Sequence, residues 1–160
     1  MLNLAPHSRL WIYQADRKLT DDEKNVISTE MKDFISKWAS HGNELYGDCK
    51  IEFDYFLMVG ADESKSPTSG CSIDSLTRKV KDLGDQLNID FFNRMNIAYE
   101  DEATDIHLIG MGHFKDLMKK DLITGQTTVY NNLIDKVGDL DTKWRTTVSN
   151  SWHKDVLVIR

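Results

Sequence analysis

The chain has 160 residues, enough for one domain with a sizeable core, and its 40% hydrophobic and 29% charged content argues against disorder. A formal net charge of -6, with ten lysines and arginines against thirteen acidic residues in each half, leaves no basic arm. That balance argues against a nucleic-acid partner, since a phosphate-backbone binder normally presents a basic face.

The contiguous apolar run through Leu10, Trp11, Ile12 and Tyr13 predicts a first strand over about 9–15 with both faces covered. Thr20-x-x-Glu23 is a capping box, and Asp21 and Asp22 favour the positive end of the helix it opens. Ile27, Met31, Phe34, Ile35 and Trp38 recur at helical spacing, and Gly42 after His41 is the expected stop. A second strand is expected over about 50–60, alternating at first through Ile51, Phe53, Tyr55 and Leu57 and then apolar on both faces.

The polar stretch 61–68 leads into Ser69-Gly70-Cys71-Ser72-Ile73-Asp74-Ser75, where a strand gives way to a helix striped by Ile73, Leu76, Val80, Leu83 and Leu87. Gly84 inside that helix costs about 1 kcal/mol relative to alanine. Two short strands, 95–99 and 106–109, flank an acidic turn and suggest a hairpin. Phe114, Leu117 and Met118 suggest a short helix, and 127–130 is rich in strand formers. A last helix is expected after Asn131 or Asn132, with Leu133, Val137, Leu140 and Trp144 as its stripe.

The order β-α-β-α-β-β-α-β-α, without linker or repeat, predicts an α+β fold: a single domain over 1–160, with a core of about 8–153, a short C-terminal tail over 154–160 and one mixed sheet with helices packed on it. The βαβ start implies a right-handed crossover if its two strands are parallel neighbours. Met1 to His7 lacks a basic leader followed by an apolar core, and the apolar-rich stretch 55–61 is too short to span a bilayer, so neither secretion nor membrane insertion is expected. Cys49 and Cys71, without a CxxC, read as reduced thiols and point to the cytoplasm.

Cys71 is the residue that most resembles a site. At a helix start it lies near backbone N–H groups that favour anions, which gives a thiol some thiolate character. If the helix already includes it, Cys71 sits about 200° from Ile73 and points away from the core stripe. If Ser72 is the N-cap instead, Cys71 precedes the helix and Ser72 caps Asp74 or Ser75. A cysteine nucleophile needs a base, and His41 and His153 are the candidates among five histidines. Metal and cofactor signatures are missing from the sequence: it has no finger-like Cys/His spacing, no HExxH, no EF-hand loop in the acidic turn, no GxxxxGK[ST], and Gly110-Met111-Gly112 lacks a third glycine. Trp152 stands outside any periodic stripe and is the tryptophan marked for contact.

Taken together, Ser8 to Gln14, Trp38-x-x-His41-Gly42, Gly70 to Asp74, Val129 to Leu133 and Ser151-Trp152-His153 resemble a small uncharacterised family of Bacteroidetes often labelled "ABC transporter ATPase". The resemblance covers about 8–153 and implies a free-standing bacterial cytoplasmic domain. The label itself asks for a P-loop and a magnesium-binding acid, and the sequence has no such motif.

The resulting expectation is a non-enzymatic binding or adaptor domain for a protein or small molecule. Its surface is drawn around Ser69, Gly70, Cys71, Ser72, Asp74, His41 and Trp152, with no cofactor or metal. Two alternatives stand beside it. One is a cysteine-dependent acyl- or thiol-transfer enzyme, with Cys71 as nucleophile and His41 or His153 as base. The other is a structural subunit of a larger assembly, carried by the tail.

Overall fold

In a computed structural model that describes residues 2–40 and 42–158, the first apolar run forms strand β1 (Arg9–Gln14). Helix α1 (Asp21–Ser36) opens at Thr20, whose Oγ accepts from Glu23 N at 3.1 Å while the Glu23 carboxylate accepts from Thr20 N at 3.0 Å. The helix stops earlier than Gly42. Lys37 N and Trp38 N donate back to Phe34 O and Ile35 O, tightening the last turn, and the chain enters the two-residue strand β2 (Ala39–Ser40). Trp38 is buried as its spacing suggested, but it lies past the helix end.

β2 pairs with β3 (Asn43–Glu44), and the expected second strand is a hairpin of two: β4 (Tyr46–Glu52) and β5 (Phe56–Asp62). Of the expected alternation only Ile51 and Glu52 lie in the edge strand β4, Phe53 to Tyr55 form a turn, and the run apolar on both faces belongs to the central strand β5. The break falls at Phe53 and Asp54, both at positive φ (53° and 63°). Aspartate tolerates that region, whereas phenylalanine does so only under strain. Tertiary bonds hold the turn in place: Ala15 N donates to Tyr55 O, Leu19 N to Asp54 O, and Lys24 Nζ lies 2.5 Å from Asp54 Oδ1.

Helix α2 (Gly70–Leu87) follows, and its Leu76, Val80 and Leu83 are buried with Ile27, Met31, Leu57 and Val59 in one core. Gly84 has a steric reason. A Cβ there would lie 2.4 Å from the Ile89 carbonyl oxygen, because the chain doubles back over the helix end through Asn88 at φ 56°. The cost read from helix propensity is offset by a close approach that only glycine permits.

β6 (Asn96–Glu100) and β7 (Ile106–Gly110) form the expected hairpin, followed by helix α3 (Met111–Lys119) and strand β8 (Thr128–Tyr130). The last expected helix does not form. Residues 135–138 instead lie along β1: Leu10 N donates to Asp135 O, Val137 N to Ser8 O, and Arg9 bridges Lys136. A 3-10 turn (Val137–Asp139) and a π turn (Leu140–Trp144) then lead to strand β9 (Arg145–Thr147). Leu133, expected on the buried stripe, is exposed. Pairing with a strand edge satisfies these backbone groups in place of an α-helical ladder.

The α+β class of the sequence reading stands, with helices packed on β-sheet. Among the described residues every strand pairing is antiparallel, in ladders ordered β1-β5-β4, β2-β3 and β7-β6-β8-β9. The parallel neighbours that a right-handed crossover requires are therefore not formed. The chain divides into two compact units, Met1–Phe92 with Asp135–Gly138, and Asn93–Ile134 with Asp139–Arg160. In the second unit Ile97, Phe114, Ile123, Val129, Val148 and Val156 form the core. Val156 belongs to a 3-10 helix (Trp152–Val158), so most of the stretch read as a tail is folded. No helix among the described residues is long and apolar enough to cross a membrane.

Candidate functional site

The N-cap of α2 is Ser69, so the helix already includes Cys71 and Ser72 is not the cap. Its Oγ accepts from Ser72 N at 3.1 Å, while Ser72 Oγ accepts from Ser69 N at 2.7 Å and donates to Ser69 O at 2.9 Å. This is a capping box in which serine replaces the usual glutamate, satisfying two orphan donors reciprocally. Ser72 is buried, and the Trp38 indole N–H donates to its carbonyl at 2.9 Å. Ser69 and Ser72, both marked as binding residues, therefore spend their hydroxyls on the helix.

With Ser69 as cap, Cys71 lies inside the first turn and faces solvent, away from the core stripe as its angular position requires. Its carbonyl accepts from Ser75 Oγ at 2.9 Å, and among the described residues no hydrogen bond reaches its sulfur. Gly70 and Asp74 are exposed beside it, and a Cβ on Gly70 would meet nothing. This turn offers an accessible thiol, a carboxylate and bare backbone. His41, one of the two proposed bases, lies outside the described residues.

His153, the other proposed base, is a core residue of the second unit. It is 1% exposed, and burial pushes its pKa down to about 4, so the imidazole is neutral at neutral pH. Ser151 Oγ makes a short bond to His153 Nδ1 and accepts from His153 N at 3.1 Å. The ring stacks on Trp152, with centroids 4.0 Å apart, and meets Phe114 at 5.9 Å. Cys71 belongs to the first unit and His153 to the second. Trp152 is half-buried against the second core, and its Nε1 is buried without a partner among the described residues.

Three features escaped the sequence reading. Glu100 is 9% exposed; Arg145 Nε and Nη2 donate to its two oxygens at 2.7 Å each, and the Tyr130 hydroxyl donates to one of them. The guanidinium holds the Glu100 carboxyl below the usual range, while burial raises the Tyr130 phenol. Arg145 could not be foreseen there because its segment read as the end of a helix. At the β6–β7 turn, His107 Nε2 lies 2.7 Å from Asp101 Oδ2 and its ring stacks on Tyr99; Asp101 Oδ1 accepts from Ala103 N and Asp105 N. The observed register places Tyr99 opposite His107, whereas the strand limits read from the sequence, 95–99 and 106–109, set Tyr99 opposite Ile106 and so missed this pairing. The third is a recess of about 410 Å³ at the C-terminal end of α2, rimmed by Asp16, Asp85 and Asp90.

Cys49, the second thiol, is half-buried on β4, and burial pushes its pKa up to about 11. Among the described residues no group of three or more His, Cys, Asp or Glu side chains is placed to hold a metal ion. Searches with this chain against protein-family models, curated proteins and solved structures each return no match.

Proposed function

We propose that this chain is a non-enzymatic binding or adaptor domain whose contact surface includes the exposed first turn of α2, with Gly70, Cys71 and Asp74. The observation that carries this reading is the Cys71 sulfur, open to solvent with no hydrogen bond to it among the described residues. A nucleophilic cysteine works beside a base that shares or takes its proton. The imidazole of His153 has one nitrogen engaged by Ser151 and the ring packed between Trp152 and Phe114. The cytoplasmic setting is part of the same proposal, supported by Cys49 and Cys71 both being free thiols.

The exposure of the thiol is also what a transferase would need, so reactivity separates the two readings. Cys71 should react with iodoacetamide at neutral pH at the rate of an unactivated cysteine in a peptide, with Cys49 lagging behind it. Reaction more than about tenfold faster, slowed by changing His41 to alanine, would overturn the binding reading in favour of a thiol enzyme.

A further inference from the structure

We draw no further inference here: the strongest candidate, the open recess of about 410 Å³ at the C-terminal end of α2, is a cluster of acidic side chains in which Asp16 and Asp90 already accept from the backbone N–H groups of Asp90 and Phe92, and nothing among the described residues points to a ligand that fills it.

Discussion

Two serine-anchored segments, Ser69–Ser72 in the first unit and Ser151–His153 in the second, use one local device with opposite results. In each, a serine oxygen accepts a backbone N–H two or three residues ahead at 3.1 Å. At α2 that bond starts a long helix and leaves Cys71 in solvent. At Ser151 it starts a 3-10 helix and folds His153 into a core of Phe114 and Val156. The chemistry open to each residue follows from burial, not from residue type. Among the described residues no base is bonded to the accessible thiol, and His153, one of the two histidines proposed for that role, is desolvated and neutral.

The comparison is tested hardest at His153. His153→Ala removes a buried ring and takes away the Nδ1 partner of the Ser151 hydroxyl, which keeps only the backbone N–H of residue 153, so it should cost about 3 kcal/mol in denaturant unfolding. A loss below about 0.5 kcal/mol would mean the ring is not packed as described.

A pH titration of stability reads the same burial through its electrostatics. The unfolded chain protonates a histidine near pH 6.5, whereas folded His153 stays neutral down to about 4. Between those values the unfolded state binds more protons, so stability falls as the pH drops and this contribution levels off below about 4. From pH 6.5 to 4.5 the loss from this group alone should be on the order of 2 kcal/mol, with carboxylate titration overlapping it toward the lower end. His153→Gln keeps a hydrogen-bonding group but cannot titrate, so the slope in that window should shrink. An unchanged slope would place the acid sensitivity elsewhere.

The sequence made the helix after Cys71 legible, and the outward direction of the thiol on the condition that the helix includes it, because a helix fixes angles from spacing alone. It left open whether that helix already includes Cys71 or begins after it at Ser72. Ser69 takes the cap, and Ser72, inside the helix, accepts at its carbonyl from the Trp38 indole N–H across 34 positions of chain. The β6–β7 hairpin was readable from its two apolar runs, while the turn at Phe53 and Asp54 was not, since phenylalanine is not a usual choice for positive φ. The stripe from Leu133 to Trp144 misled for a related reason. Helical spacing was present, but the edge of β1 offered those backbone groups a partner that no local pattern announces. The burial of His153 was illegible in the same way, being set by α3, which lies far from it in sequence.

A smaller effect belongs to the other arm of the comparison. Ser69→Ala removes the acceptor for Ser72 N but leaves the Ser72 hydroxyl on Ser69 N, so α2 loses half of its reciprocal cap. The expected loss is about 1 kcal/mol by thermal or denaturant unfolding. A larger loss would mean that Ser69 also carries tertiary weight through its neighbour Thr68, which accepts from Arg9 Nη1 at 3.3 Å.

The smallest effect should come from Cys71 itself. Serine in place of the thiol keeps a small polar side chain on an exposed first turn, and the Ser75 bond goes to the backbone carbonyl, which the substitution leaves in place. Cys71→Ser should therefore shift stability by less than about 0.5 kcal/mol and leave the helical circular-dichroism signal unchanged. Partner binding through this turn should also survive, because shape and backbone are kept, whereas Cys71→Arg places a long charge on the same surface and should weaken it. A stability loss above about 1 kcal/mol for the serine variant would show that the sulfur is packed. The contrast with His153 would then fail on its exposed side, and the accessible thiol would cease to be the feature that separates the two segments.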